Sequence, residues 1–460
     1  MRKYLIALLS VVFVMGSIGT AFAIHADIPS ESQAVVAKGA TQVTLGGELR
    51  FRGWSSQNLN QTNFVPADTS TASWYDSRVR LSIQADVSKN TTSLIQLESS
   101  TGIAGGVNQT SDTYGWGTLN QKPNAALTIL QAWIQHQGSG LLGIPAGIKV
   151  GHMPLALGQR QFLDHTKFGD DAIVFFMDPT KEMHIALLTT KFNEGSIQYN
   201  GDDVNGYVAL MTYNLDNSNT VGLNYSYVSA GNTVATLAST DDGVNFQNLG
   251  LHASGKVSGV TYEAEFDTQF GKYFKGVAAE QKFRGYGIFA NAAYTFAPVT
   301  IRAGFAYGSG DNDTTDGKNK EFQTTMGRDL HYAFIYEYSL RTSATGQALD
   351  SSHSGAGGRS TGIANTTYYR LGADYRPMKN LTTSLDGFII RASKTPSGQS
   401  KSIGEEVDLK AAYQIDTNLT YSVIAGYFNT GSFYTTGAAP FNSADKKDVT
   451  QVMHALTLSF

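Results

Sequence analysis

The stretch Ser402–Thr430 decides the reading of this chain: SIGEEVDLKAAYQI, then DTN, then LTYSVIAGYFNT. Its first arm alternates Val407, Leu409, Ala411 and Tyr413 with Glu406, Asp408, Lys410 and Ala412. Its second arm sets Leu419, Tyr421, Val423, Ala425 and Tyr427 against Thr420, Ser422, Ile424 and Gly426. A period of two sends successive side chains to opposite faces of a strand. One face of this hairpin is apolar, with tyrosines near both ends; the other is mostly polar or charged. About ten residues of tilted strand cross a bilayer. Grease outside and water inside is the pattern of a membrane barrel.

Working outward, the same unit recurs. In Gln42–Trp54, the residues Val43, Leu45, Leu49 and Phe51 alternate with Glu48, Arg50 and Arg52. The next strand sets Val79, Leu81, Ile83 and Ala85 against Asp76, Arg78, Arg80, Gln84 and Asp86. Thr91–Ser99 sets Ile95 and Leu97 against Gln96 and Glu98. A basic side chain facing lipid at mid-depth costs about 2–4 kcal/mol, so the charged faces must point to water. Ser88-Lys89-Asn90 reads as a tight turn, whereas Ser55–Thr71 and Thr101–Asn124 read as long polar loops. Short turns on one side and long loops on the other is how bacterial barrels are connected.

Further strands fit near Leu127–Gln137, Ala146–Gly151, Ala172–Met177, Met183–Phe192, Asn205–Leu215, Thr220–Ser229, Phe246–Val257, Val260–Gly271, Lys282–Phe296, Val299–Ser309, Asn365–Arg376 and Leu381–Ala392. The strand count rests least firmly on those between Ala172 and Phe192. Gly310–Gly362 reads as one large extracellular loop. The chain ends VTQVMHALTLSF, with Val452, Leu456, Leu458 and Phe460 on one face. The expectation is an all-β fold: a transmembrane antiparallel β-barrel of about 18 strands over residues 41–460. Starting and ending in the periplasm requires an even number.

Arg2 and Lys3, the apolar run Tyr4–Met15 and the site Ala21-Phe22-Ala23 read as a cleaved secretion signal over residues 1–23. Residues 24–40 then form a periplasmic lead-in. The 460 residues contain no cysteine, which excludes disulfides, thiolate metal sites and covalent haem attachment. The 48 glycines, 23 tyrosines and 24 phenylalanines suit a barrel with half of each strand in water. The net charge of −4 is too mild, and too evenly spread, to imply a nucleic-acid partner. Bacterial outer-membrane lipid and small hydrophilic solutes or ions are the expected partners.

Three stretches resemble one family, and in the family's order. Lys149–Leu163 (KVGHMPLALGQRQFL) is similar to the V-G-R-Q-x-L-x-x-G-x-x-R-L segment of alginate-export-type outer-membrane porins. Gly304–Phe322 (GFAYGSGDNDTTDGKNKEF) resembles their A-Y-A-S-G-D…D-G-K…F segment, and Ile403–Gly431 their G-x-E-x-D-L…Y-F-x-x-G ending. Gly158 and Arg160 keep the first pattern, while His152 stands where it has arginine and Pro154 where it is variable. The chain is similar, too, to related porins of metal-reducing bacteria. The resemblance implies an 18-stranded barrel whose channel is narrowed by inward loops. Trimers are common among porins and this family's relatives can be monomers, so a homotrimer or a monomer is expected.

The candidate pore-lining residues are Glu48, Arg50, Arg52, Asp76, Arg78, Arg80, Glu98, Glu263, Glu265, Asp267, Arg302, Arg370, Asp374, Asp408 and Lys410. Arginine rows beside a water path can select anions through forked donors. Alternatively they pair with Glu48, Asp76, Glu98 or Asp374 and brace the wall. Met153–Asp171 is a candidate constriction loop carrying Arg160, Asp164, His165, Lys167, Asp170 and Asp171; the bland alternative is an outward, solvated loop. Asp311, Asp313, Asp316 and Glu321 miss the spacing of a calcium loop, which favours plain solvation. The nine histidines show no metal-ligand spacing, and no hydrolase or nucleotide-binding motif occurs. No cofactor and no catalysis are expected. The function expected is passive diffusion through a charge-lined channel. An exopolysaccharide exporter, or the sheath of a porin–cytochrome electron conduit, is the alternative. An outer-membrane enzyme is a third reading without a motif behind it.

Overall fold

A computed structural model describes residues 34–38, 41–60, 65–101, 112–117, 123, 125–194, 203–230, 244–273, 281–313, 315–324, 333–340, 362–436 and 447–460. The secretion signal and most of the lead-in lie outside the described residues.

The strands are β1 (Ala34–Lys38), β2 (Thr41–Asn60), β3 (Val65–Ser88), β4 (Thr91–Thr101), β5 (Tyr114–Gly115), β6 (Ala125–Leu141), β7 (Ile144–Met153), β8 (Asp170–Met177), β9 (Met183–Asn193), β10 (Val204–Asn214) and β11 (Thr220–Ala230). They continue with β12 (Val244–Val257), β13 (Val260–Tyr273), β14 (Gln281–Phe283), β15 (Tyr286–Phe296), β16 (Val299–Gly308), β17 (Lys318–Asn319), β18 (Thr366–Met378), β19 (Leu381–Ala392), β20 (Ser402–Asp416), β21 (Leu419–Thr430) and β22 (Val449–Ser459). Setting aside the short strands β1, β5, β14 and β17, eighteen strands pair antiparallel with their neighbours and close into a barrel where β22 meets β2. At the seam Gly47 and Phe460 exchange backbone hydrogen bonds of 2.6 and 3.0 Å. A side chain at Gly47 would strike the Phe460 ring.

The opening hairpin folds as its alternation demands. Val407, Leu409 and Tyr413 are exposed on the outer face, while Glu406 and Asp408 are buried inside. The outward residues of the other barrel strands form the same apolar belt, including Phe51, Leu81, Ile95, Ile134, Ile173, Leu187, Ile288, Leu371 and Leu385. Closure of β22 on β2 leaves no open edge around the girth of the wall, so the backbone groups there pair strand to strand.

Three expectations need correction. The polar stretch Ser55–Thr71 is mostly strand: β2 and β3 continue as a tall hairpin with only residues 61–64 undescribed. Lys282–Phe296 breaks after Phe283: β14 pairs with the end of β13 on one side and in parallel with β17 on the other, and β15 starts afresh at Tyr286. The insertion after β16 does not extend simply outward. Its described parts, residues 309–313, 315–324 and 333–340, contain buried Phe322, Phe334, Ile335, Tyr336 and Leu340.

Candidate functional site: the charged inner wall and two inward segments

The inner faces of β2, β3 and β4 bring the first arginine rows together. Arg50 stands directly opposite Arg78 in register, an arrangement that repels unless something intervenes. Asp112, in the loop before β5, fills that role. Its Oδ2 lies 3.2 Å from Arg50 Nη2 and 2.8 Å from Arg78 Nη1. Burial alone would raise the Asp112 carboxyl, but the charges of Lys167, Arg50 and Arg78 outweigh it and hold the group well below the usual carboxylate range. Nothing in the Gly- and Asn-rich loop sequence singles this aspartate out.

Each neighbouring arginine has a carboxylate. Arg52 grips Asp76 through two bonds of 2.8 and 3.1 Å, and Trp54 Nε1 donates to the same carboxylate at 2.8 Å. Arg78 meets Glu48 at 2.6 Å, and Arg80 meets Glu98 at 2.5 Å. Further round the barrel, Arg302 contacts Asp374 at 3.1 Å and Asp386 at 3.0 Å; Arg370 contacts Asp386 at 2.8 Å. Asp386 was missing from the candidates, although its place between Leu385 and Gly387 on β19 gives it the inward parity. Forked guanidinium–carboxylate pairs lock strand to strand and still leave charge along the wall.

The loop between β7 and β8, residues 154–169, folds into the barrel. It forms a small hairpin closed by Leu157 N to Leu163 O at 3.1 Å and His165 N to Leu155 O at 2.7 Å. Leu155, Leu157, Phe162 and Leu163 are all buried. The facing wall is apolar too: Val174, Ala186, Leu188, Val208, Leu210 and Phe246 occupy inner positions that a water-filled wall would make polar. Phe162 stacks on Phe246 with ring centroids 5.8 Å apart. Strands covered on both faces read as continuous apolar runs rather than as alternation. This is why the strands between Ala172 and Phe192 are the weak points of a count read from alternation.

The far side of this loop touches β13. The Gln159 amide donates to the Glu265 carboxylate. Gly158 adopts φ +53°, the left-handed region that favours glycine, and the Glu265 carboxylate packs directly over it. Within the loop, Arg160 lies 3.8 Å from Asp164, and His165 Nδ1 lies 2.6 Å from Asp170. Lys167 is half-buried and acts on Asp112. Asp171 departs from the expected constriction set. Strand β8 has already begun, so Asp171 shares the outer face with Ile173, with its side chain 76% exposed and 3.0 Å from His152 Nδ1.

The second inward segment is residues 333–340, ending in the single π-helical turn Tyr336–Leu340. The backbone N–H groups at a helix start have no partner within the helix. Here the wall supplies it. The Phe334 amide donates to Asp408 at 2.9 Å, while the Ile335 amide, and the Tyr336 amide at 2.9 Å, donate to Glu406. Phe334 stacks on Trp54 at 5.9 Å, and Trp54 on Trp74 at 5.5 Å. The two inward segments therefore lean on different arcs: one on β8–β13, the other on β18–β21, β2 and β3.

The remaining candidates scatter. Glu263 is half-buried on the inner face of β13, Glu265 and Asp267 are buried there, and Lys410 is exposed on the inner face of β20. The acidic loop after β16 turns on itself. Asp311, Asp313 and Asp316 accept from the amides of Asp313, Thr315 and Lys318 at 2.9–3.1 Å, and Asp316 pairs with Lys320 at 2.5 Å. Hydrogen bonds from Thr315 and Lys320 hold Asp313 and Asp316 below the ordinary range.

The family described as alginate export matches residues 42–340. Among curated proteins, none matches the chain. Similar solved structures include the outer-membrane protein opdK from Pseudomonas aeruginosa: 11% identity, 90% of this chain and 98% of that one covered, TM-score 0.51. OccK8 (OprE) from the same organism shows 11% identity over 91% and 98%, with TM-score 0.50. A BenF-like porin from Pseudomonas fluorescens Pf-5 shows 12% over 91% and 99%, with TM-score 0.50. These likenesses establish a shared barrel fold.

Proposed function

We propose that this chain, which belongs to the alginate export family, forms a narrow, charge-lined channel in the bacterial outer membrane for passive diffusion of small hydrophilic solutes or ions. The observation that carries the reading is the pairing of a closed eighteen-stranded wall with two segments folded into its interior. An unobstructed cylinder would pass solutes by size alone. Here the passage runs between the β7–β8 loop and residues 333–340, beside the arginine–carboxylate rows of β2–β4 and of β16 and β18. Selection then rests on width and field, as in other pores with charged rings, and no bond chemistry is involved. The inward segments speak against a wide sheath for a cytochrome. The family match favours polysaccharide export as the second reading, which requires passage of a long chain.

Liposome swelling separates these. The purified barrel is expected to admit small sugars and ions at rates that fall steeply with solute size. Vesicles that do not swell with any solute would remove the diffusion reading.

The arginine rows carry their own prediction. Replacing Arg78 and Arg80 with alanine leaves Glu48, Asp112 and Glu98 short of positive partners. The reversal potential under a salt gradient in a planar bilayer should move toward cation preference. An unchanged potential assigns these arginines to bracing the wall alone.

A further inference from the structure

The inward arginines Arg50, Arg52, Arg78, Arg80, Arg302 and Arg370 each face a carboxylate within 3.2 Å. A close ion pair acts on a passing ion as a dipole, and its pull fades sooner than that of a single charge. One buried cation of the wall is built differently. Lys149 lies on β7 between Ile148 and Val150, which are exposed on the outer face, while Lys149 turns inward and is only 7% exposed. Among the described residues no carboxylate pairs with its ammonium and no acceptor takes a hydrogen bond from it.

Its partner is a ring. Lys149 Nζ stands 3.7 Å from the centroid of Trp133. A run of buried polar side chains fixes that ring: Trp133 Nε1 donates to Gln131 Oε1 at 3.0 Å, Gln131 Nε2 to Gln96 Oε1 at 2.9 Å, and Gln96 Nε2 to Ser82 Oγ at 2.8 Å. On its other side, the register row from Lys149 runs through Val174, Leu188 and Val208, all buried and apolar. A ring face attracts a cation without neutralising it, and it leaves the three N–H donors for another acceptor. An ammonium taken from water is costly until a group of opposite charge reaches it. Apolar surroundings also keep the local dielectric low, so this charge reaches further than that of a solvated lysine.

We propose that Lys149 is an anion-binding point on the inner wall and sets the anion preference of the channel. It rests on the diffusion reading above and adds the place where a small anion is held in passing. Trp133 and the Ser82–Gln96–Gln131 run position the ammonium. The difference from the arginines is one of balance: removing an arginine exposes its carboxylate, whereas removing the Lys149 amine deletes a charge that has no counterpart.

Planar-bilayer recording of the full-length barrel under a KCl gradient gives the chloride-to-potassium permeability ratio. Lys149→Met keeps a long apolar side chain against Trp133 and should lower the ratio by roughly threefold or more, whereas Lys149→Arg should keep it. Lys410→Met removes an exposed lysine of the inner face and should lower it less. A second readout needs no conduction. In detergent, iodide gathered at the ammonium should quench the tryptophan fluorescence of the native barrel more strongly than that of Lys149→Met, while neutral acrylamide quenches both alike. Equal iodide quenching in the two chains, or a permeability ratio that Lys149→Met leaves unchanged, would overturn the proposal. A native barrel that shows the iodide difference but passes no ions would instead overturn the diffusion reading and leave the anion site standing.

Discussion

Replacing Glu406 with glutamine and Asp408 with asparagine together is expected to raise the mean single-channel conductance and to add flicker between levels. These two carboxylates receive the amides of Phe334, Ile335 and Tyr336. A hydrogen bond contributes about 0.5–1.5 kcal/mol net, and more where the acceptor is charged. A neutral amide still accepts, but more weakly, so losing about half of that on three bonds lowers the docked population of residues 333–340 by tenfold or more. The stacking of Phe334 on Trp54 remains, so the segment leaves and returns rather than being lost. Planar-bilayer recording reads the effect directly. A double variant with native conductance and no added gating would show that residues 333–340 do not narrow the path.

The second large effect concerns the outer face. Leu409→Arg places a guanidinium at a position exposed on the outside of β20. Facing lipid near mid-depth, it should destabilise the barrel by about 2–4 kcal/mol. Lys410→Arg, one residue on but on the inner face, should change stability by less than about 0.5 kcal/mol. Urea unfolding in lipid vesicles measures both. Equal effects would mean that the two faces do not see different solvents.

The wall was legible in the sequence wherever one face met lipid and the other met water. The arms of β20 and β21, and the rows Glu48–Arg52 and Asp76–Arg80, alternate cleanly, and the structure pairs them in antiparallel register. Legibility failed where the chain covers its own interior. Val174, Leu188 and Leu210 face inward yet are apolar because Leu155, Leu157 and Phe162 pack on them. With both faces dry, the period of two disappears. That loss was itself a signal, since a barrel strand without polar inner positions needs an inward loop to cover it. The segment around Phe334–Tyr336 carried a weaker signal, an aromatic cluster inside a polar insertion. Its partners Glu406 and Asp408 lie about seventy residues away, at a separation no local pattern reports. Asp112 was hidden for a simpler reason. A single polar residue in a polar loop or wall declares nothing until its neighbours are known.

The central claim is that successive residues of each barrel strand face lipid and the barrel interior in turn. The chain has no native cysteine, so single cysteines report without background. Leu409→Cys and Lys410→Cys, each folded into proteoliposomes, are treated with a charged thiol reagent that does not enter membranes. Rapid labelling at 410 and protection at 409 is the expected result; labelling at both positions, or at 409 alone, would contradict it.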